Sequence, residues 1–162
     1  MTLELDAHGF PKTSGIFETI KTVNGQPIAL ARHMRRALDS ARSLGIKMPP
    51  EEELRIQLVK LLNEKPFEIG KLRICIYADG YHLSHDEYTE PTSPLRFTFF
   101  SQTVMGLEHK QFPYDHRFGF LKSAQDEGFD DCILFNVKNE VTESAVANLL
   151  FLIEGVWVTP PI

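Results

Sequence analysis

Hydrophobic positions recur along the chain with two different periods, and the changes of period predict its elements. The segment 15–30 predicts two short strands on either side of a turn. Asn24-Gly25 between them predicts a tight hairpin turn, since both residues tolerate a positive φ. Apolar residues three and four positions apart predict a helix over 31–45. A second amphipathic helix is expected over 50–65, where acidic residues in the first turn suit the helix dipole.

Strand-like segments dominate the rest of the chain. Runs rich in β-branched and aromatic residues predict strands over 70–79 and 94–102. The polar segment 80–93 between them is expected to be a loop or an irregular hairpin. One more helix is predicted over 117–128, followed by a series of short strands separated by turns over 130–158. This order of elements predicts an α+β fold, with a strand–helix lobe followed by a β-rich lobe.

Composition and charge narrow the class of protein. The chain has 162 residues, of which 43% are hydrophobic and 24% charged, a balance typical of a folded globular protein. The net charge of −5, with both signs interspersed, argues against a general nucleic-acid binder. The N-terminus lacks the pattern of a signal peptide, and no apolar run is long enough to span a bilayer. Cys75 and Cys132 are expected to be buried free thiols, which suits a reducing compartment. Together these observations predict a cytoplasmic protein without nucleic-acid or membrane partners.

The C-terminal third of the chain carries a series of motifs in a characteristic order. The acidic pair Asp130-Asp131 precedes an apolar strand and a turn. V-T-E-S follows at 141–144, then Asn148 before a second apolar run, and finally T-P-P at 159–161. This order resembles the core of the class IV aminotransferases. These fold-type IV pyridoxal-phosphate enzymes include branched-chain and D-amino-acid aminotransferases and 4-amino-4-deoxychorismate lyase.

The N-terminal part resembles the first lobe of the same family. A glycine precedes F-E-T at 15–19, a strand pair follows, and H-x-x-R at 33–36 precedes S-A-x-x-L at 40–44. The resemblance therefore covers most of the chain. It implies a two-lobe architecture, with an N-terminal α+β lobe over 1–105 and the connector and first part of a β-rich lobe over 106–162. Family members continue beyond T-P-P with a glycine-rich turn and helix start that cradle the cofactor phosphate, so we expect a C-terminally truncated chain with an incomplete second lobe.

The resemblance implies that Lys110 is the lysine that forms an imine with the aldehyde of pyridoxal 5′-phosphate. The family's lysine lies 18 residues before the glycine that precedes the acidic pair, and counting back from Gly128 leads to Lys110. Tyr114 and Ala124 occupy the positions at which the family has a tyrosine and an alanine. Lys122, the nearer lysine, lies in a predicted helix and has no counterpart role. Judged alone, Lys110 would be an ordinary solvated lysine.

The resemblance also implies a set of cofactor contacts. Glu143 would pair with the pyridine nitrogen and keep it protonated, so that the ring can accept electrons. Arg36 would bind the phosphate, for which a forked guanidinium is well suited, and Arg35 lies one register away. Tyr114 would hydrogen-bond the phenolic oxygen of the cofactor, and Asn148 would orient the loop near the ring. Taken singly, each of these residues has an ordinary explanation as a turn residue, a solvated helix face or a packing aromatic.

Other kinds of site receive less support. The pair H-x-x-H at 82–85, followed by Asp86 and Glu87, lacks further ligands at a metal-binding spacing, so we expect no metal site. The chain also has no P-loop, no G-x-G-x-x-G and no G-x-S-x-G. These motifs would have indicated a nucleotide site or a serine hydrolase.

The sequence leaves three functions open. GIFET favours 4-amino-4-deoxychorismate lyase, which eliminates pyruvate to form 4-aminobenzoate for folate synthesis. The alternatives are an aminotransferase acting on branched-chain or D-amino acids with a 2-keto acid acceptor, and an inactive remnant with a structural or interaction role. Either enzyme would take a small-molecule substrate, and the family implies a homodimer.

Overall fold

Three helices and ten strands are formed by the residues that the computed structural model describes, 3–103 and 109–160. They divide into two units. The first unit comprises 3–90 and 109–113, and the second comprises 91–103 and 114–160. The predicted lobe boundary between residues 105 and 106 lies outside the described residues and stays a prediction.

The predicted helices and most predicted strands are present, with boundaries shifted by a few residues. The first unit contains β1 (Gly15–Val23), β2 (Gln26–Pro27), α1 (Leu30–Leu44), α2 (Glu51–Glu64), β3 (Ile69–Tyr77), β4 (Gly80–Glu87) and β6 (Gln111–Phe112). The second contains β5 (Phe97–Thr103), α3 (Asp115–Asp126), β7 (Asp131–Phe135), β8 (Val141–Ser144), β9 (Phe151–Ile153) and β10 (Val156–Val158).

An antiparallel sheet in the order β2-β1-β3-β4 organises the first unit, and β6 also pairs with β1. The turn from β1 to β2 has φ 48° at Asn24 and φ 73° at Gly25, which confirms the predicted hairpin. Gly45 ends α1 with φ 67°, the left-handed conformation that favours glycine at a helix C-terminus. These local features form as predicted because each depends on a few adjacent residues.

The core of the first unit lies between one face of this sheet and the two helices. Its buried members are Ile16, Ile20, Ala37, Ala41, Leu54, Leu58, Leu72, Ile74 and Ile76. Side chains alternate between the two faces of a strand, so the even-numbered members of β1 and β3 reach the helices. Burying each large aliphatic side chain contributes about 1.5–3 kcal/mol to stability.

The predicted loop or irregular hairpin over 80–93 is wrong for its first part, which forms the regular strand β4. This strand pairs with β3 from Gly80 opposite Tyr77 to Glu87 opposite Gly70. The segment looks polar because every second residue faces away from the core. The residues between them face the core. Tyr81 and Leu83 pack against the core cluster, and His85 is buried.

The second unit contains a three-stranded sheet in the order β5-β7-β8, in which β5 runs parallel to β7. A small core joins this sheet to α3 and consists of Phe120, Ala124, Cys132, Leu134 and Ala145. β5 falls within the predicted first lobe but pairs with β7. The predicted strand series is present, and bends separate β8 from the distinct hairpin of β9 and β10.

Both cysteines are buried and free, as predicted. Burial raises the pKa of Cys75 to about 12 and that of Cys132 to about 11, so neither thiol is activated. Among the described helices, none combines the length and apolar character that crossing a bilayer requires.

Candidate active site

Lys110 lies directly before β6, at the edge of the first unit's sheet. Its carbonyl oxygen accepts a 2.9 Å hydrogen bond from the N–H of Phe17, which continues the antiparallel pairing of β6 with β1. Its Nζ lies 4.9 Å from the centroid of the Phe17 ring, within the range of a cation–π contact. The backbone of Lys110 is therefore held by the sheet, and its amine lies over an aromatic face.

Aromatic residues surround this edge of the sheet. The Phe10 ring lies 4.8 Å from that of Phe17, edge to face, and 5.7 Å from that of Phe112. A Cβ added to Gly15 would lie 2.2 Å from the carbonyl oxygen of Ile76 and 2.7 Å from the Phe112 ring. The glycine before F-E-T is thus explained by close approach, since no side chain fits between β1, β3 and β6.

Arg36 projects from α1 onto Glu18 of β1. Its Nε donates a hydrogen bond of 2.7 Å to Oε1, and its Nη2 donates one of 2.5 Å to Oε2. The Glu18 side chain is 2% exposed, whereas that of Arg36 is 51% exposed. The hydrogen bond to Glu18 raises the pKa of Arg36. The guanidinium is therefore oriented by a buried carboxylate, and among the described residues no partner is found for Nη1.

His33 belongs to the same cluster, because its Nδ1 lies 2.7 Å from Oε2 of Glu18. His33 and Arg36 are three residues apart and so lie on one face of α1. Glu18 is the glutamate of F-E-T. Sequence reasoning missed its role and that of His33, although the two motifs F-E-T and H-x-x-R together supply the three side chains.

Glu143 of β8 forms an ion pair with Arg117 near the start of α3. Nη2 of Arg117 donates a 2.5 Å hydrogen bond to Oε1 of Glu143. The Arg117 side chain is 4% exposed and that of Glu143 is 34% exposed. Nη1 of Arg117 is buried and has no hydrogen-bond partner among the described residues. Sequence reasoning missed Arg117, since nothing in its local pattern marks it as buried.

Tyr114 lies at the N-cap position of α3, in the same unit as Glu143. Burial raises the pKa of its phenol, against an opposing effect of the nearby Arg117. Its ring contacts that of Phe118 edge to face, with centroids 5.6 Å apart. The phenol is therefore protonated at neutral pH and can donate a hydrogen bond.

Asn148 is exposed and lies between β8 and β9, directly after the bend at 145–147. The turn that leads to it is ordered by Ser144, whose Oγ accepts a hydrogen bond of 2.8 Å from the N–H of Ala147. Asp131 ties the same turn to β7, because its Oδ1 accepts hydrogen bonds from the N–H groups of Cys132 and Ala145. Asp130 also has a structural role, because its Oδ2 accepts a hydrogen bond of 2.7 Å from the N–H of Arg96, so both members of the acidic pair order the backbone in a way that the sequence did not reveal.

Lys122, the competing lysine, lies on the surface of α3. Its Nζ donates hydrogen bonds of 2.9 Å to both carboxylate oxygens of Asp126, one turn later. Such an exposed pair is an ordinary feature of a helix surface.

The H-x-x-H pair has its histidines on opposite faces of β4, because positions 82 and 85 differ in parity. His85 is buried, and its Nε2 lies 2.8 Å from Oγ1 of Thr22. His82 lies opposite Cys75 in the register of β3 and β4. The two imidazoles cannot reach one metal ion, and the described part of the chain contains no cluster of three or more candidate ligands.

The donor chemistry of these residues fits pyridoxal phosphate. The amine of Lys110 suits an aldehyde, and the carboxylate of Glu143, which uses only Oε1 in its ion pair with Arg117, suits a pyridine nitrogen. The Arg36 guanidinium suits a phosphate, and the phenol of Tyr114 suits an oxygen acceptor. Lys110 and Arg36 lie in the first unit, whereas Tyr114, Glu143 and Asn148 lie in the second.

Comparison with known proteins identifies the family. The family described as amino-transferase class IV matches residues 15–162, so the chain belongs to the class IV aminotransferases, a family of pyridoxal-phosphate enzymes. This confirms the family predicted from the motifs. Among curated proteins, the chain is similar to a Rickettsia bellii protein named as a branched-chain-amino-acid aminotransferase. The two are 23% identical over 98% of this chain and 63% of the relative.

Solved structures confirm the predicted fold-type IV architecture. A structure named as a 4-amino-4-deoxychorismate lyase has a TM-score of 0.81 and 22% identity, covering 97% of this chain and 68% of that one. A hypothetical aminotransferase from Mycobacterium tuberculosis, bound to α-ketoglutarate and PMP, has a TM-score of 0.75 and 16% identity. That match covers 91% of this chain and 61% of the other. The chain spans less than two thirds of the length of the curated relative that it matches.

Proposed function

We propose that this member of the class IV aminotransferases is a pyridoxal-phosphate-dependent 4-amino-4-deoxychorismate lyase, which releases pyruvate and forms 4-aminobenzoate for folate synthesis. The observation that carries the proposal is the placement of Lys110. Its backbone is held to Phe17 by the sheet, and its amine lies over the Phe17 ring. The choice of lyase is supported by the GIFET motif and by the likeness of the fold to a structure named as that enzyme.

Pyridoxal phosphate, when bound, supplies an aldehyde that captures the amino group of the substrate and a ring that accepts electrons from Cα. Lys110 would hold the cofactor through its amine, and the same amine, once free, would remove and return protons at the substrate. A lysine in an apolar or cationic setting is suited to this role, because such a setting favours the neutral amine.

Glu143 receives the pyridine N–H of the cofactor on the carboxylate oxygen that Arg117 does not occupy. The ion pair with Arg117 orients this carboxylate. Tyr114 donates to the phenolic oxygen of the cofactor. Burial raises the pKa of Tyr114, so the Tyr114 phenol keeps its proton at neutral pH. Asn148 orients the loop near the ring.

Arg36 binds the cofactor phosphate with the part of its guanidinium that Glu18 does not occupy. A guanidinium can pair with two anions at once, since it carries five N–H donors in a fixed plane. The two hydrogen bonds to Glu18 use only Nε and one donor of Nη2. Holding the guanidinium in place beforehand reduces the entropy lost on binding phosphate.

An aminotransferase is the second candidate, supported by the curated relative from Rickettsia bellii. In that reaction the bound cofactor would carry the amino group to a 2-keto acid, and the Lys110 amine would take and return the proton at Cα of the substrate. For either reaction we infer a cytoplasmic protein and, as the family resemblance implies, a homodimer. Two free buried thiols agree with a reducing compartment, and sedimentation of the purified chain tests the dimer.

Reductive trapping tests the assignment of Lys110. The protein is incubated with pyridoxal phosphate, reduced with borohydride, digested and analysed by mass spectrometry. A label on Lys110 that is lost in Lys110→Ala and kept in Lys122→Ala supports the proposal. A label on Lys122, or no label at all, contradicts it. Pyruvate release from aminodeoxychorismate without a keto acid identifies the lyase, whereas a strict requirement for a keto acid identifies the aminotransferase.

A further inference from the structure

Arg117 is a buried cation whose ion-pair partner, among the described residues, is Glu143. Its side chain is 4% exposed, and its Nη2 donates a hydrogen bond of 2.5 Å to Oε1 of Glu143. Its Nη1 is also buried and has no partner in the part of the chain that the structure describes. A guanidinium keeps its proton at every pH at which a protein is folded. Glu143 therefore shares its negative charge with a permanent cation that water and salt screen poorly.

The charge of Arg117 acts beyond this ion pair. Burial raises the pKa of the Tyr114 phenol, and the positive charge of Arg117 opposes that rise. The carboxylates of Glu143 and Asp131 add to it. The third strand of the sheet, β5, carries no ionisable residue. The charges that meet in this part of the second unit therefore come from α3, β7 and β8.

Of the two carboxylates, Glu143 is the one that is open to a further donor. Asp131 is already engaged, because its Oδ1 accepts hydrogen bonds from two backbone N–H groups. In Glu143, Arg117 occupies only Oε1, and the side chain is 34% exposed. Any cation that binds the other oxygen of Glu143 must share this carboxylate with Arg117.

Two cations that share one carboxylate each weaken the other's hold on it. On the basis of the proposed function, in which Glu143 meets the ring nitrogen of pyridoxal phosphate, we propose that the charge of Arg117 makes Glu143 a weaker acceptor for the ring proton than a lone carboxylate would be. The guanidinium and the protonated ring nitrogen repel one another, and burial of Arg117 leaves that repulsion poorly screened. Arg117 thereby limits how firmly the ring proton is held, and with it how strongly the bound ring accepts electrons. It acts on the reaction through Glu143 and not by contact with the cofactor.

An ion pair that only orients Glu143 has the opposite consequence. In that case, removing Arg117 would let the carboxylate turn away from the ring nitrogen, and the ring would lose its proton more readily. If the charge of Arg117 dominates, removing it makes the ring hold its proton more firmly. The sign of the change therefore separates the two roles.

Nitrogen NMR of the covalently trapped cofactor measures this proton directly. Pyridoxal phosphate with an isotope-labelled ring nitrogen is bound to the full chain and reduced with borohydride, which attaches the ring to Lys110 and leaves its nitrogen unaltered. The chemical shift of that nitrogen is followed over the pH range in which each variant stays folded. Because the ring is held covalently, a loss of affinity in a variant does not disturb the measurement.

Four variants give the expected pattern. Arg117→Met should raise the pKa of the ring nitrogen by about one unit, an effect moderated by the partial exposure of Glu143. Arg117→Gln also removes the charge while keeping a hydrogen-bond donor, and should raise this pKa in the same direction. Arg117→Lys keeps the charge and should leave the pKa close to that of the unchanged protein. Lys122→Met, the matched control on the exposed face of α3, should have no effect.

A double variant separates this proposal from the assignment of Glu143 on which it depends. Arg117→Met combined with Glu143→Gln removes both charges, and the pKa of the ring nitrogen should fall below that of Arg117→Met alone. If it falls but neither Arg117→Met nor Arg117→Gln raises the pKa above that of the unchanged protein, the proposal is overturned and the role of Glu143 stands. If Glu143→Gln has no effect in this background, or if the ring is not attached to Lys110, the proposed function and this proposal both fail.

Discussion

Glu18 and Arg36 lie 18 positions apart in the sequence and form a two-point ion pair in which the carboxylate is buried and the guanidinium is half exposed. The pair joins β1 to α1 and is extended by His33. It has two consequences. Glu18 depends on Arg36 for compensation of its charge, and Arg36 depends on Glu18 for its orientation.

Removing Arg36 is expected to destabilise the first unit. Arg36→Met leaves the Glu18 charge buried with only His33 beside it. We expect a loss of about 2–3 kcal/mol in the free energy of unfolding, less than for a fully buried pair because Arg36 is half exposed. Glu18→Gln combined with Arg36→Met should recover part of the loss. Urea denaturation measures each value.

Arg35→Met is the matched control for that experiment, because it removes an exposed arginine from the neighbouring position. Its effect on stability should stay within about 0.5 kcal/mol. Pyridoxal phosphate should bind more weakly to Arg36→Met than to the unchanged protein. Its affinity for Arg35→Met should equal that for the unchanged protein. The opposite pattern would identify Arg35 as the phosphate ligand and contradict the role of Arg36.

Removing Glu143 and removing Arg117 should lower the free energy of unfolding by different amounts. Glu143→Gln leaves the guanidinium of Arg117 buried without its counter-charge, which we expect to cost about 3 kcal/mol. Arg117→Met leaves Glu143 partly exposed to water and should cost less. Thermal or chemical unfolding of both variants gives the comparison. Equal losses, or a larger loss for Arg117→Met, would show that the difference in burial does not control the energetics.

Gly15 should not tolerate even one added methyl group. In Gly15→Ala the new Cβ would overlap the carbonyl oxygen of Ile76 and the Phe112 ring, so the sheet must open at this edge. We expect a loss of about 3 kcal/mol in the free energy of unfolding, at the upper end of the range for overpacked sites. Gly119→Ala in α3 is the control, since its Cβ meets nothing within 4 Å and alanine favours a helix. Similar stabilities for the two variants would contradict this account.

Stability should fall as His85 is forced to accept a proton. Burial lowers the pKa of His85 in the folded state, so the unfolded chain binds more protons below about pH 6.5. The contribution of His85 to the free energy of unfolding is therefore complete above that pH. It is lost as the pH falls, by at most about 1.4 kcal/mol per pH unit. Urea denaturation between pH 7.5 and about 5.5 should show a smaller loss for His85→Phe than for the unchanged protein. Parallel curves for the two proteins would exclude this histidine as the cause.

Local sequence patterns are sufficient to predict much of the secondary structure of the first unit. The turn at Asn24-Gly25 and the end of α1 at Gly45 follow from backbone preferences of single residues. The two helices follow from the spacing of their apolar residues. The family, too, could be recognised from short motifs, because each motif keeps its residues within a few positions.

Pairings between distant segments were harder to predict. The sequence predicts a loop or an irregular hairpin where β4 forms, because alternate polar residues hide its regular pairing with β3. β5 pairs in parallel with β7, some thirty residues later in the chain, and no local pattern encodes that choice.

Residue types and short spacings are enough to predict the family, the helices, the tight turns and the set of candidate site residues. Which charges meet depends instead on how the elements pack. Glu18 is neutralised by Arg36 and contacts His33, and Arg117 is neutralised by Glu143, across elements that the chain brings together only on folding. The physical reason is that burial sets the strength of a charge pair, and burial is a property of the packed elements and not of the motif.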